Sequence, residues 1–418
     1  MTEVISQPRV RTADAALRAR ARAVIPGGMY GHLSANALAP EYPQFYERAL
    51  GAHVWDVDGN EYVDFMCSFG PVLLGHNHPK VEAAAAAQRA KGDTMTGPGA
   101  AMVEAAEVLT GRVEHADWAM FAKNGTDATT IALMVARAAT GRSKVLAAKG
   151  AYHGGSPWFT TRDAGVTAED RANLRYYTFN DLTSVEKALA DVGPEDVAGI
   201  IVSPYRHDAG HDQELVDAEF ARGLRALCDR IGAALIMDEV RGGFRLHDGG
   251  SWEPIGVRPD LSAWSKAIAN GYPLAATLGA GQYADAASQI FVTGSFWYQA
   301  VPHAACVATL TAVREEGAVA TMVKMGTLLR EGLAREAAET GVGINQSGPV
   351  QMPNLSFIED EKFAKAQAFC AAAIDHGAIF HPRHNWFVSA AHTESDVERA
   401  VSAGRAGFRA VAKQFGTD

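Results

Sequence analysis

Cysteine is scarce in this chain. Cys67, Cys228, Cys306 and Cys370 are the only four in 418 residues, and no two lie close in sequence. That excludes a Cys-x-x-Cys metal or redox motif and leads to the expectation of a reducing, cytoplasmic setting. Long apolar runs are missing too, since no stretch approaches the roughly 18 residues of a membrane span. Met1 to Val24 mixes Arg, Asp and Glu with no apolar centre, so no secretory signal is expected there. Basic charge is not in excess. Lys and Arg number 38 against 48 Asp and Glu, a net charge of −10. Nucleic acid and anionic membranes both call for basic surface, so neither is expected as a partner. His-Glu-x-x-His, Gly-Lys-Ser/Thr and Gly-x-Ser-x-Gly do not occur. Zinc-protease, phosphate-loop nucleotide and serine-hydrolase chemistry therefore find no support, and no metal is expected.

What is present is a long middle in which helical stretches alternate with short apolar runs. Asp127–Thr140 and Val216–Ile231 have helical patterning; Lys144–Ala148, Gly199–Val202, Ala233–Met237 and Ala275–Leu278 read as strands. The alternation predicts βαβ units around a mostly parallel sheet, with strands apolar throughout because both faces are covered. Residues 11–24 predict a short helix. Ala52–Val57 and Glu61–Met66 predict a hairpin around Asp58-Gly59-Asn60, and Ser395–Phe415 an amphipathic helix. The expected organisation is an N-terminal segment of a small α+β domain (1–66), a large α/β domain (67–305) and a C-terminal return to the small domain (306–418).

Four pieces of chemistry sit where such a sheet would present them. Ligands of parallel α/β sheets bind beyond the carboxyl ends of the strands. Asp238 follows Ala233–Met237 there. A carboxylate at the end of a buried strand needs a cationic partner, and a pyridinium N–H is one. The ordinary alternative is a helix cap or a structural ion pair. Lys266 stands among Trp264, Ala267, Ile268 and Ala269, just before the turn Asn270-Gly271-Tyr272-Pro273. A surface lysine is the ordinary role, but apolar surroundings lower an amine's pKa and make it nucleophilic. Asn124-Gly125-Thr126 opens the helix at Asp127. Backbone N–H groups and a hydroxyl at a helix N-terminus can hold a phosphate, or merely cap the helix. Tyr152, after the strand Lys144–Ala148, can stack on a planar cofactor or simply pack in its loop. A lysine amine, a carboxylate, a phosphate site and an aromatic are what pyridoxal 5′-phosphate (PLP) requires.

With these residues in this order, the chain resembles the class III (fold type I) PLP-dependent aminotransferases, and among them the glutamate-1-semialdehyde aminomutase-like branch. The resemblance runs from Ile25-Pro26-Gly27-Gly28 through Val54–Asn60, Gly70–Pro79, Asn124–Thr129 and Tyr152-His153-Gly154. It continues through Asp238–Arg245 and the Lys266 segment to Ala391-His392-Thr393. It implies an α/β large domain with a mostly parallel sheet plus a small α+β domain built from both chain ends. It implies that Lys266 carries the cofactor in a Schiff base and shuttles the proton, and that Asp238 binds the ring nitrogen. Val240 and Tyr152 then cover the two ring faces, while Asn124, Gly125 and Thr126 take the phosphate. The family's phosphate-binding Gly-Thr pair from the neighbouring subunit corresponds to Gly294-Ser295, which implies a homodimer with shared active sites.

The departures point to the substrate. The branch's arginine after Pro-Gly-Gly is absent from Met29-Tyr30-Gly31-His32-Leu33-Ser34, which removes a bidentate carboxylate clamp. Arg206 and Arg383 are the candidates to replace it. Phe296-Trp297-Tyr298-Gln299 is aromatic where the branch has small polar residues. Tyr30, Trp297 and Tyr298 suit the flat face of a sugar or cyclitol ring, or they pack an interface. These segments resemble those of aminotransferases of aminoglycoside antibiotic biosynthesis that aminate a sugar 6′-aldehyde. The resemblance thus implies transfer from an amino acid donor such as glutamate to an aldehyde or ketone, an oxidised aminosugar being the candidate acceptor. An aminomutase or epimerase without net transfer is the alternative.

Overall fold

The alternating apolar runs build a seven-stranded sheet in the order Trp118–Ala122, Ala275–Gly279, Leu261–Trp264, Ala234–Asp238, Val197–Val202, Lys144–Ala148, Leu174–Tyr177. The computed structural model describes residues 9–34 and 38–417, without the side chain of His32. Expectations that fall on residues 1–8, on 35–37 or on the His32 side chain lie outside the described residues.

Every residue of Val197–Val202, Ala234–Asp238, Leu261–Trp264 and Ala275–Gly279 is buried. The reason is the covering on both faces. Ile131, Leu133 and Val135 of the helix Gly125–Thr140 join Ile236, Leu261 and Ala275 in one apolar cluster. Phe220, Leu224 and Leu227 of the helix Ala218–Ile231 join Leu146, Ile200 and Leu235 in the other. Asp217 starts that second helix by accepting from Glu219 N–H at 2.7 Å, and Gly232, at φ +65°, ends it.

One expectation needs correction. Ala275–Gly279 is not a parallel βαβ strand; it runs antiparallel to both its neighbours. Its connection to Leu261–Trp264 is residues 265–274, ten residues (275 − 264 − 1 = 10). A parallel crossover needs about a dozen or more, so the chain turns straight back. That short reversal carries Lys266.

Two compact units make up the chain. One is Met1–His78 with Ala209–Asp212 and Ala320–Asp418; the other is Pro79–Asp208 with Gln213–Val319. The divisions fall after residues 78 and 319, later than the expected 66 and 305 by 12 and 14 residues. The second follows from packing, because the helix Ala300–Glu315 lies against Pro79–Lys91 and Ala100–Thr110 of the sheet-bearing unit.

In the first unit, Tyr46–Leu50, His53–Asp56 and Glu61–Asp64 form an antiparallel sheet, and Ala378–Ile379 adds a parallel edge. Asp56 Oδ1 accepts from Asp58 N–H at 3.0 Å and Asn60 N–H at 2.8 Å, which holds the hairpin turn. The helix Glu394–Phe415 begins with a capping box between Thr393 and Asp396. His76 Nε2 pairs with Asp64 Oδ2 at 2.8 Å. All four cysteines are buried, and none forms a disulfide among the described residues. Among the described residues no helix is long and apolar enough to cross a membrane.

Candidate active site

Asp238 is the last residue of its strand, and Met237 and Asp238 pair in register with Ser262 and Ala263 of the next one. Lys266 follows three residues later (266 − 263 = 3). The carboxylate and the amine are therefore delivered side by side by adjacent parallel strands. Lys266 opens the 3-10 turn Lys266–Ala269 with φ +51°, a left-handed conformation that is strained for a lysine and typical of functional positions. Ser265 Oγ donates to Leu274 O at 2.9 Å and closes the base of the reversal.

These two residues line a cavity of about 190 Å³ with Asn124, Gly125, Thr126, Thr129, Tyr152, His153, Gly154, His207, Val240 and Arg241. Burial pushes the Lys266 ammonium down to about 7; the nearby charge of Arg241 pushes the same way, and Asp238 opposes. At neutral pH and above, much of this amine is uncharged and nucleophilic.

Asp238 is buried and held from both sides. His153 Nδ1 lies 2.7 Å from Oδ2. A carboxylate only accepts, so the ring nitrogen donates. Val240 N–H donates to Oδ1 at 3.0 Å. His153 is itself fixed by Thr129 Oγ1, which donates to its carbonyl at 2.7 Å. Each carboxylate oxygen keeps a further lone pair for a ligand N–H.

Asn124 caps the helix Gly125–Thr140: its Oδ1 accepts from Asp127 N–H at 3.1 Å, and Asp127 Oδ2 accepts from Asn124 N–H at 3.2 Å. Gly155 N–H donates to Thr126 Oγ1 at 2.9 Å. That contact seats the Tyr152–Gly155 loop on the helix N-terminus. Gly154 has φ +117°, and a Cβ there would lie 2.9 Å from Thr126 Cα, so only glycine permits this approach. Burial raises the Tyr152 phenol pKa, and the Asp238 charge adds to it.

The residues fit PLP. A carboxylate for a ring N–H, a largely neutral lysine amine and a helix N-terminus for an anion all open on one cavity. Gly125 leaves space that a side chain would fill, since a Cβ there would meet Val240 Cγ1 at 2.7 Å. Gly125→Ala should therefore displace Val240 at a cost of about 1–3 kcal/mol. PLP affinity, measured by equilibrium dialysis of the apoprotein, should fall roughly tenfold to a hundredfold. An unchanged affinity would show that Val240 does not border the cofactor.

The remaining sequence candidates are not among the residues that line this cavity. Ser295 and Tyr298 are exposed and Trp297 is half-buried, in the segment before the helix Ala300–Glu315. Trp297 packs on the cluster of Ala128 and Ile131, folded over its own Gly294. None of the three lines the Lys266 cavity. Tyr30 and Arg383 belong to the other unit. Tyr30 is exposed there, and the Arg383 guanidinium stacks over Phe363 at 5.0 Å beside a second cavity of about 510 Å³. Arg206 pairs with Asp208 at 2.9 Å. His153, Thr129, His207 and Arg241 were not singled out from the sequence. His153 and Arg241 stand next to residues that were, Tyr152 and Val240, and that adjacency was the available signal.

A seven-stranded α/β sheet with a lysine and an acid at its carboxyl edge is the architecture of the fold type I PLP-dependent transferases. The PLP internal aldimine form of the FumI protein from Sphingopyxis sp. MTA144 superposes with a TM-score of 0.95, at 50% identity, over 96% of this chain and 97% of that one. The chain belongs to the class III aminotransferases: that family's model matches residues 35–393. It is 50% identical to an aminopentol aminotransferase of Sphingopyxis macrogoltabida, over 96% of this chain and 94% of the relative. It is 35% identical to a glutamate-1-semialdehyde 2,1-aminomutase of Desulforamulus reducens, over 94% of this chain and 97% of the relative. The protein is thus a PLP-dependent aminotransferase.

Proposed function

We propose that the protein exchanges an amino group between an amino acid, glutamate first among the donors, and a carbonyl on a hydroxyl-rich carbon skeleton. An oxidised aminosugar or a related amino-polyol is the acceptor class. The observation that carries the reading is the single cavity shared by Lys266, Asp238 and the N-terminus of Gly125–Thr140. The similarity to an aminopentol aminotransferase, whose named substrate is an amine bearing several hydroxyls, supports the acceptor class.

Bound PLP supplies an electron sink at its ring nitrogen. Lys266 Nζ would hold the cofactor covalently and, once the substrate amine has displaced it, would as the free amine take the proton from the substrate carbon and return it. Asp238 accepts the ring N–H, and His153 keeps that carboxylate oriented. Asn124, Gly125 and Thr126 bind the phosphate. Val240 and Tyr152 border the two ring faces. Ser295 completes the phosphate site of a second copy in a homodimer, and Tyr30, Trp297, Tyr298 and Arg383 serve the substrate.

The test is a half-reaction on the PLP-loaded protein, followed by absorbance. L-glutamate, L-alanine and a set of amino-polyols are each offered as donor. Conversion to the pyridoxamine form with an amino acid and with an amino-polyol is expected. Failure of every amine to convert the cofactor would end the reading. The aminomutase relative keeps one other outcome in view: product formed with no donor present would mean intramolecular transfer.

A further inference from the structure

We propose that Thr129 is a positioning residue for the reaction: its hydroxyl seats His153, and through His153 it keeps the Asp238 carboxylate aimed at the ring N–H of the cofactor. The inference deepens the preceding reading and rests on one part of it, that Asp238 is the partner of the ring nitrogen.

Thr129 lies four residues into the helix Gly125–Thr140 (129 − 125 = 4), lines the Lys266 cavity and is 1% exposed. A threonine hydroxyl has one proton to give. Three carbonyls lie within its reach: Gly125 O and Thr126 O, both at 3.1 Å, and His153 O at 2.7 Å. The first two are the ordinary targets of a threonine inside a helix, three and four residues back. The shortest contact instead leaves the helix for a residue 24 positions away. Among the described residues the Thr129 hydroxyl is the donor to His153 O.

His153 depends on that seat. Its side chain is fully buried, with Nδ1 2.7 Å from Asp238 Oδ2. Nε2 has no hydrogen-bond partner among the described residues, and the ring packs edge-on against Phe159 at 5.3 Å. A single polar contact does not fix both the place and the tilt of an imidazole, so the ring goes where its backbone puts it. The Thr129 hydroxyl sets that backbone. Gly155 N–H adds a second tie, to Thr126 Oγ1 at 2.9 Å. The loop Tyr152–Gly155 is thus stapled at two points to the first turns of the helix whose N-terminus is assigned to the phosphate. Without the hydroxyl, the His153 carbonyl loses its donor in a buried place, which is costly enough for the loop to shift. Nδ1 then draws away from Oδ2, and Asp238 keeps only the Val240 N–H, at 3.0 Å. The charge stays, and its aim is lost.

The experiment compares PLP-loaded wild type, Thr129→Val, Thr129→Ser, Asp238→Asn and the double variant Thr129→Val with Asp238→Asn. Valine keeps the branched shape and removes the donor; serine keeps the donor. The first readout is the pH titration of the cofactor absorbance, whose midpoint feels the charge at the ring nitrogen. Thr129→Val should move the midpoint in the direction that Asp238→Asn moves it, and Thr129→Ser should leave it in place. The second is kcat and KM with an amine that wild type converts. Thr129→Val should lower kcat about tenfold, the scale of one buried hydrogen bond, with KM within about twofold. Thr129→Ser should restore kcat to within about threefold. In the Asp238→Asn background the valine should cost less than about twofold, because both changes act along one path. The third is calorimetry of inorganic phosphate on the apoproteins, which should agree within about twofold between wild type and Thr129→Val. An equal loss of kcat in both backgrounds with an unmoved midpoint, or a phosphate affinity that falls with the rate, would make Thr129 a helix-packing residue and overturn the proposal. Should the valine variant not load PLP, Thr129→Ala, which cannot overpack the site, takes its place in the same comparison. A loaded alanine variant with the wild-type midpoint and rate would overturn the proposal too. An unmoved midpoint in Asp238→Asn would overturn it at the root, by removing Asp238 from the ring nitrogen. The absorbance titration needs no turnover, so it decides this proposal even where every amine fails and the aminotransferase reading falls.

Discussion

Replacing Lys266 by Ala lowers the rate of amino transfer by at least about 10⁴-fold while the protein stays folded. The residue is asked to do two jobs, covalent attachment of the cofactor and proton transfer at the substrate carbon, and general acid–base catalysis alone accounts for about 10²–10⁴. Folding should survive, because the structure gains little from an amine it has to keep largely neutral. Burial and the Arg241 charge hold its pKa near 7, against 10.5 for an ordinary lysine. The same shift sets a pH dependence. Only the unprotonated amine attacks the cofactor's aldehyde. Loading of the apoprotein should therefore quicken about tenfold per pH unit below about 7 and level off above it. An unshifted lysine would keep accelerating toward pH 10. Stopped-flow absorbance on mixing apoprotein with PLP distinguishes the two profiles. An Ala variant retaining more than about a hundredth of the wild-type rate would remove Lys266 from the chemistry.

Asp238→Asn carries the second large effect. The substitution keeps the shape and removes the charge that stabilises a protonated ring nitrogen. His153 Nδ1, which donates across 2.7 Å to Asp238 Oδ2, then faces an amide in place of a carboxylate. Removing one partner from a buried charged pair costs about 3–5 kcal/mol, or roughly 10² to 10⁴ in rate. The loss should appear in kcat, with the cofactor still loaded, because Lys266 and the helix N-terminus are untouched. A variant that transfers at near-normal rate but binds PLP poorly would make Asp238 an anchor and nothing more.

How far the site was readable depends on distance along the chain. Asn124 as a helix cap, the apolar strand before Asp238 and the turn after Lys266 are local patterns. Side-chain period, capping chemistry and turn residues belong to neighbouring positions, so they show in the sequence directly. The hairpin around Asp58-Gly59-Asn60 is legible for the same reason. The clasp of His153 on Asp238 spans 85 residues and has no local signature. The direction of Ala275–Gly279 was missed because an apolar run looks alike in a parallel and an antiparallel strand. Only the ten-residue connection carried the information. Trp297 suits a ligand-facing aromatic or an interface, and within this chain it packs against the cluster that contains Ala128 and Ile131. An aromatic side chain is equally suited to either role.

The sequence by itself determined the class of chemistry. A lysine in an apolar turn, an acid after a buried strand, and a Gly-Thr pair opening a helix are each prescribed by residue type and spacing. The resemblance that runs through them implied PLP and amino transfer. Tertiary structure alone decided what surrounds that chemistry. Register set Met237 and Asp238 against Ser262 and Ala263 and so brought the acid and the amine to one sheet edge. Burial, together with the charge of Arg241, pushed the amine's pKa down to about 7, and both depend on residues far apart in the chain. Through-space packing placed Arg241 on the cavity wall and left the exposed Tyr298 off it. Long-range contacts of this kind are properties of the folded arrangement, and no local pattern of residues encodes them.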